Sequence, residues 1–264
     1  MEPTSAAEAM RAASGDPRAA AQVARRSLEQ ELAGDPRLAA ALPTSALSGL
    51  EHYVRLLLGA NDRLNLTRIL DPESVGILHL LDALVALPYI DELAPPQAVD
   101  LGSGGGVPAL PLAIARPGVH WTLVESVRRK ASALRDFTTE LGLANVTIVP
   151  ERAEAVGRDP RFRGQFALAT ARACAPLPVL VELALPLLVV GATLLAWKGP
   201  LRPEDPEVRD GQAAASLLGG GTLSILSAGP KALGGRTLVR ISKDGPTPER
   251  YPRRPGEPAR RPLA

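Results

Sequence analysis

From residue 98 onward, short apolar runs alternate with longer amphipathic ones, and this alternation predicts an α/β fold. Ala98, Val99 and Leu101 read as the end of a short buried strand behind the breaker pair Pro95-Pro96. Val119–Glu125, Asn145–Val149, Phe166–Thr170 and Ala192–Trp197 read as four more strands. The helix after the first strand must begin close to Pro108 or Pro111, because a later proline would break it. Further helices are predicted over Arg128–Leu141, with Leu134, Phe137 and Leu141 as its apolar face, and over Leu177–Leu188. Thr222–Leu226 and Arg236–Ile241 lie too close together for a helical crossover and should pair as an antiparallel edge.

Two helices precede the sheet. The first opens at Thr44 or Ser45 and carries Leu47, Leu50, Val54, Leu57 and Leu64 near helical spacing. The second follows Asp71-Pro72, an N-cap with proline at the first helical position, and carries Val75, Leu78, Leu81, Leu84 and Val85. His79 and Asp82, three apart, share one of its faces. They either close the helix pair onto the sheet or border a substrate. The chain thus divides into a loose, partly helical leader over 1–42, a core over 43–244 with a helical cap at 43–94, and a basic tail over 245–264.

Composition narrows the class. A 45% hydrophobic, 22% charged chain is an ordinary globular protein. One cysteine, Cys174, excludes an intramolecular disulfide and a multi-cysteine zinc site. Three histidines without ligand spacing give no reason to expect a metal. The first thirty residues mix acids and arginines without an apolar run. The apolar stretch Val179–Trp197 is interrupted by Glu182, Pro186 and Gly191. A cytoplasmic protein that does not enter a membrane is expected.

The chemistry concentrates where the first strand ends, in D-L-G-S-G-G-G-V from Asp100 to Val107. A strand running through a glycine loop into a helix is the cofactor corner of an open α/β sheet. A dinucleotide fingerprint starting at Gly102 would need glycine at position 107, which is Val107. Asp100 would repel a pyrophosphate but can hold an ammonium or a loop amide. Asp100, Gly102, Gly104 and Val107 therefore favour S-adenosylmethionine over NAD. Glu125 ends the second strand about twenty residues later, the spacing at which an acid accepts ribose hydroxyls. The small Ala153 and its neighbour Glu154, past the third strand, lie where an adenine would sit. Arg172 and Lys198 follow strands four and five at the same edge and suggest an anionic acceptor such as RNA. From Arg236 onward eight basic residues stand against three acids in a proline-stiffened segment, the composition of a strap that tracks phosphates. A solvated tail is the alternative.

With these residues in hand, the chain resembles the bacterial small-subunit (16S) ribosomal RNA guanine-N7 methyltransferases, the RsmG/GidB family, from about Leu47 to the C-terminus. The likeness rests on N-L-T at 65–67, D-P-E at 71–73, H-x-x-D at 79–82, D-L-G-S-G-G-G-V-P at 100–108, A-R-P at 115–117, A-R-A at 171–173, K-G at 198–199 and the closing R-Y-P-R-R-P-G-E-P. It implies a Rossmann-like class I S-adenosylmethionine-dependent methyltransferase with a seven-stranded sheet. It also implies a guanine of 16S ribosomal RNA, free or in the small ribosomal subunit, as acceptor, and a monomeric enzyme without a metal. By motif position, cofactor contacts fall on Gly102, Val107, Ala153, Glu154 and Arg172, with Glu125 as the donor-binding acid. Asn65 and Arg172 would position guanine or cofactor, and His79, Lys198, Arg236, Arg253 and Arg254 would meet RNA. The chain departs from the family pattern at Leu78, Ala83, Ala60, Ala167 and Trp197. A small-molecule methyltransferase and a non-catalytic RNA-binding paralogue are the competing readings.

Overall fold

The computed structural model describes residues 16–227 and 229–263. Seven strands form one sheet in the order β3-β2-β1-β4-β5-β7-β6. They are β1 (Gln97–Leu101), β2 (His120–Val124), β3 (Val146–Val149), β4 (Phe166–Arg172), β5 (Leu188–Lys198), β6 (Gly220–Ser227) and β7 (Thr237–Lys243). The first five pair in parallel, whereas β7 runs antiparallel between β5 and β6. The strand order turns back beside β1, so the loops after β1, β2 and β4 gather at one carboxyl edge, where open α/β sheets bind ligands.

The apolar runs were legible as strands because both faces of the sheet are covered. On one face, helices α1 (Pro17–Ala33), α2 (Pro36–Ala41) and α3 (Ala46–Leu64) pack with Ala109–Ala115 and Arg128–Glu140. Leu177–Ala184 and Pro206–Leu217 fill the other face. The Pro206–Leu217 helix was not anticipated, although Asp205-Pro206 repeats the cap-proline pattern seen at Asp71-Pro72.

Two expectations need correction. Residues 16–42 are not a loose leader: Ala20, Ala21, Ala24, Leu28, Leu32, Leu38 and Leu42 are buried. The Asp-Pro dipeptides at 16–17 and 35–36 are helix starts, since Asp16 accepts from Arg18 N–H and Asp35 from Leu38 N–H. Residues 1–15 of the expected leader lie outside the described residues. Helix α1 crosses the cap at Gly76, where an added Cβ would stand 2.3 Å from the Ala24 carbonyl oxygen. Gly76→Ala should therefore destabilise the fold by about 1–3 kcal/mol through overpacking against backbone. Urea unfolding checks this, and a wild-type midpoint would mean that α1 is not a fixed part of the cap.

The expected tail is also docked. Tyr251 is buried in the second core, and Arg163 donates to the carbonyl oxygens of Tyr251 at 2.6 Å and Thr247 at 3.1 Å. Pro72–Leu93 is long and apolar enough to cross a membrane, yet 67% of its most apolar window is buried within the fold.

Candidate functional site

The glycine loop is held from three sides. Gly102 N–H and Ser103 N–H both donate to the Val124 carbonyl at the end of β2, at 2.9 and 3.2 Å. Gly104 N–H donates to Glu125 Oε2 at 2.8 Å, and Glu125 Oε1 accepts from Val127 N–H at 2.7 Å. From the cap, Tyr53 Oη donates to the Gly105 carbonyl at 2.8 Å. Gly102 and Gly104 adopt positive φ (67° and 55°), a conformation that glycine reaches without a Cβ penalty. A Cβ on Gly102 would stand 2.9 Å from Cys174 Sγ, so the close approach of the loop after β4 also needs glycine there.

Two cavities open on this loop. One, of about 320 Å³, is lined by Gly102, Glu125, Ala153, Glu154, Val179 and Ala259 among others. The second, of about 240 Å³, shares Gly102, Glu125 and Ala173 with it and is bounded by Thr67, His79, Lys130 and Arg172. Another recess, about 520 Å³, lies between α1 and α3, and none of the sequence-predicted site residues lines it. The two loop cavities therefore hold the candidate chemistry.

Arg172 ends β4 and reaches into the cap. Its Nη1 donates to the Leu78 carbonyl at 2.7 Å and to Asp82 Oδ2 at 2.8 Å, while Nη2 donates to His79 Nδ1 at 3.0 Å. Because Nδ1 accepts, the remaining imidazole hydrogen is on Nε2, which faces Thr67 Oγ1 at 2.7 Å. Burial first and the Arg172 charge second push the His79 pKa down to about 3. His79 sits on a π-helical turn, Gly76–Leu81, and Asp82 opens the short helix Asp82–Leu84 that continues it. Trp197, unexpected in an aliphatic position, donates from Nε1 to the Asp82 carbonyl at 2.5 Å and joins β5 to the cap. The departure at Leu78 leaves the backbone carbonyl that Arg172 uses.

Several expected roles change on this geometry. His79 is buried within the Arg172 network, where it borders the smaller cavity. Asn65 is exposed at the end of α3 in the left-handed conformation and lines neither loop cavity. Asp100 lies beneath the loop and not in the cavity walls: Oδ1 accepts from Thr170 Oγ1 at 2.6 Å, whereas Oδ2 is buried without a partner. Burial pushes its carboxyl up to about 6. Lys198 is paired with Glu207 at 2.5 Å, Arg236 lies 3.5 Å from Asp82, and Arg253 is bound to Glu182. Among the expected RNA contacts only Arg254 is exposed. The carboxylate of Glu154 is also committed, to Arg152 and to Gly256 N–H.

Thr67, the last residue of the N-L-T motif, lines the smaller cavity, as does Lys130, which was not singled out. The signal for Lys130 was the run Arg128-Arg129-Lys130 in the first turn of its helix, where cations oppose the helix dipole.

The residues fit S-adenosylmethionine. The bare loop at Gly104 has no neighbour within 3.8 Å of an added Cβ, and Glu125 supplies a nearly buried carboxylate beside it. The cavities together reach the size range of small-ligand sites, about 300–1,000 Å³. Fold and site define a class I S-adenosylmethionine-dependent methyltransferase. The family model for rRNA small subunit methyltransferase G matches residues 46–233. The ribosomal RNA small subunit methyltransferase G of Geobacillus kaustophilus is 40% identical over 84% of this chain and 93% of its own length. That of Deinococcus radiodurans is 43% identical over 81% of this chain and 85% of its own. Among solved structures, the CMeT domain of the citrinin polyketide synthase superposes with a TM-score of 0.51 at 12% identity, over 83% of this chain and 69% of that one, a likeness of fold. The chain belongs to the rRNA small subunit methyltransferase G family.

Proposed function

We propose that this enzyme methylates N7 of a guanine in 16S ribosomal RNA, the substrate class carried by the names of its relatives. The observation that supports N7 is the state of the groups around the smaller cavity. His79 has both ring nitrogens engaged and a pKa near 3, and both Glu125 oxygens accept backbone N–H bonds. His79 is thus not available as a general base, and the Glu125 carboxylate is turned to the backbone of the glycine loop and of Val127. Guanine N7 has an exposed lone pair and no proton to lose, so it needs no general base.

S-adenosylmethionine supplies a methyl group on a sulfonium centre. The residues then have to place and align the reactants, which is where the rate gain of such a transfer arises. We assign the adenosyl end to the larger cavity, with Glu125 for the ribose and Ala153 beside the base. The guanine is assigned to the smaller one, between Thr67, Lys130 and Arg172. Exposed cations at Arg128, Arg129 and Arg254 are available for phosphates, and their contribution is salt-dependent.

The test is the pH dependence of transfer to purified small-subunit RNA, with the product nucleoside identified. A flat profile from pH 7 to 9 and an N7-methylguanosine product are expected. A rate limb near neutral pH, or a product methylated elsewhere, would show a proton-bearing acceptor and overturn the assignment.

A further inference from the structure

The C-terminal segment expected to strap RNA is tied down beside the cofactor cavity. Arg253 donates from its backbone N–H and from Nε to Glu182 Oε1, at 2.8 and 2.9 Å, and Glu182 is fully buried in the helix Leu177–Ala184. Three residues on, Gly256 N–H donates to Glu154 Oε1 at 2.8 Å. Pro252 presses on Gly157, where an added Cβ would stand 2.9 Å from Pro252 Cγ, just past the short helix that begins with Ala153. These contacts anchor the segment to the two elements that carry Ala153, Val179 and Leu183 into the larger cavity. The short helix Glu257–Arg260 then places a buried Pro258, and Ala259, in the lining of that same cavity.

We infer that the C-terminal segment is a wall of the cofactor site, with Pro258 and Ala259 as contacts to the adenosyl end and with Glu154 and Arg253 as positioning residues. This rests on the placement of that end in the larger cavity. The two expected site residues, Glu154 and Arg253, thereby find a common role: each holds the wall rather than a ligand or a phosphate. A wall fixed in advance by hydrogen bonds does not have to be ordered when ligand arrives, which favours binding.

The test is calorimetric binding of S-adenosylhomocysteine to the full chain. Arg253→Ala also perturbs folding, so the exposed Ala259 carries the experiment. Ala259→Trp should weaken binding by roughly tenfold or more with an unchanged melting temperature. Ala153→Trp, which narrows the same cavity from another element, should do likewise. If Ala153→Trp weakens binding and Ala259→Trp does not, the C-terminal wall is refuted while the cavity assignment stands. If neither changes the affinity, the adenosyl placement fails, and the wall with it.

Discussion

Arg253→Ala is expected to lower the free energy of unfolding by about 3–5 kcal/mol, the effect of removing one partner from a buried ion pair. The side chain of Glu182 is 0% exposed and that of Arg253 19% exposed, so the pair is poorly screened. Without the Arg253 side chain the buried carboxylate would lose its counter-charge and keep only the backbone N–H of residue 253 as a donor. The double change Glu182→Leu with Arg253→Met should recover most of the loss, because an apolar pair of similar volume removes the uncompensated charge. Equilibrium unfolding in urea checks both. A loss below about 1 kcal/mol for the single variant, typical of an exposed pair, would mean that the segment is not held as described.

The second large effect is on catalysis. Arg172→Ala should reduce methyl transfer by about 100- to 1,000-fold, the scale found when a positioning or charge-stabilising group is removed from an active site. Its three bonds to Leu78, Asp82 and His79 fix the plane of the guanidinium at the wall of the smaller cavity. Arg172→Lys should not rescue, since a point charge cannot span a carbonyl, a carboxylate and an imidazole in one plane. Single-turnover kinetics with saturating RNA would measure this. Undiminished transfer in Arg172→Ala would remove the residue from the site.

The glycine loop and the acid at the end of β2 could be read from the chain because both are local. A loop needing positive φ must contain glycine, and a buried parallel strand must be apolar up to the residue that meets the ligand. The destinations of the charges were not local. The tail arginines look solvated in a proline-rich stretch, and nothing near Arg253 in sequence announces a partner 71 residues away. The usable signal was on the other side: Glu182 is the lone acid in L-P-V-L-V-E-L-A, and a buried acid requires a donor. Lys198 hides its pairing with Glu207 in the same way. The docking of the helices over 17–41 was not legible because three of their six buried apolar residues, Ala20, Ala21 and Ala24, are alanine, which gives a weak apolar pattern. Their Asp-Pro starts were the better guide.

His79 carries the clearest lesson about the site. Spacing alone placed it beside Asp82 on one face, and that holds only loosely, since a π-turn intervenes and Arg172 bridges the two. A buried imidazole whose Nδ1 accepts from a guanidinium is a fixed acceptor and not a proton shuttle. That property, more than the glycine loop, separates an acceptor without a proton from the many that have one.

The most direct test of the central claim is a map of N7-methylguanine in 16S ribosomal RNA from cells with and without this gene. Loss of N7-methylation at one guanine, restored by the wild-type gene and not by Arg172→Ala, is the predicted result. An unchanged map would contradict it.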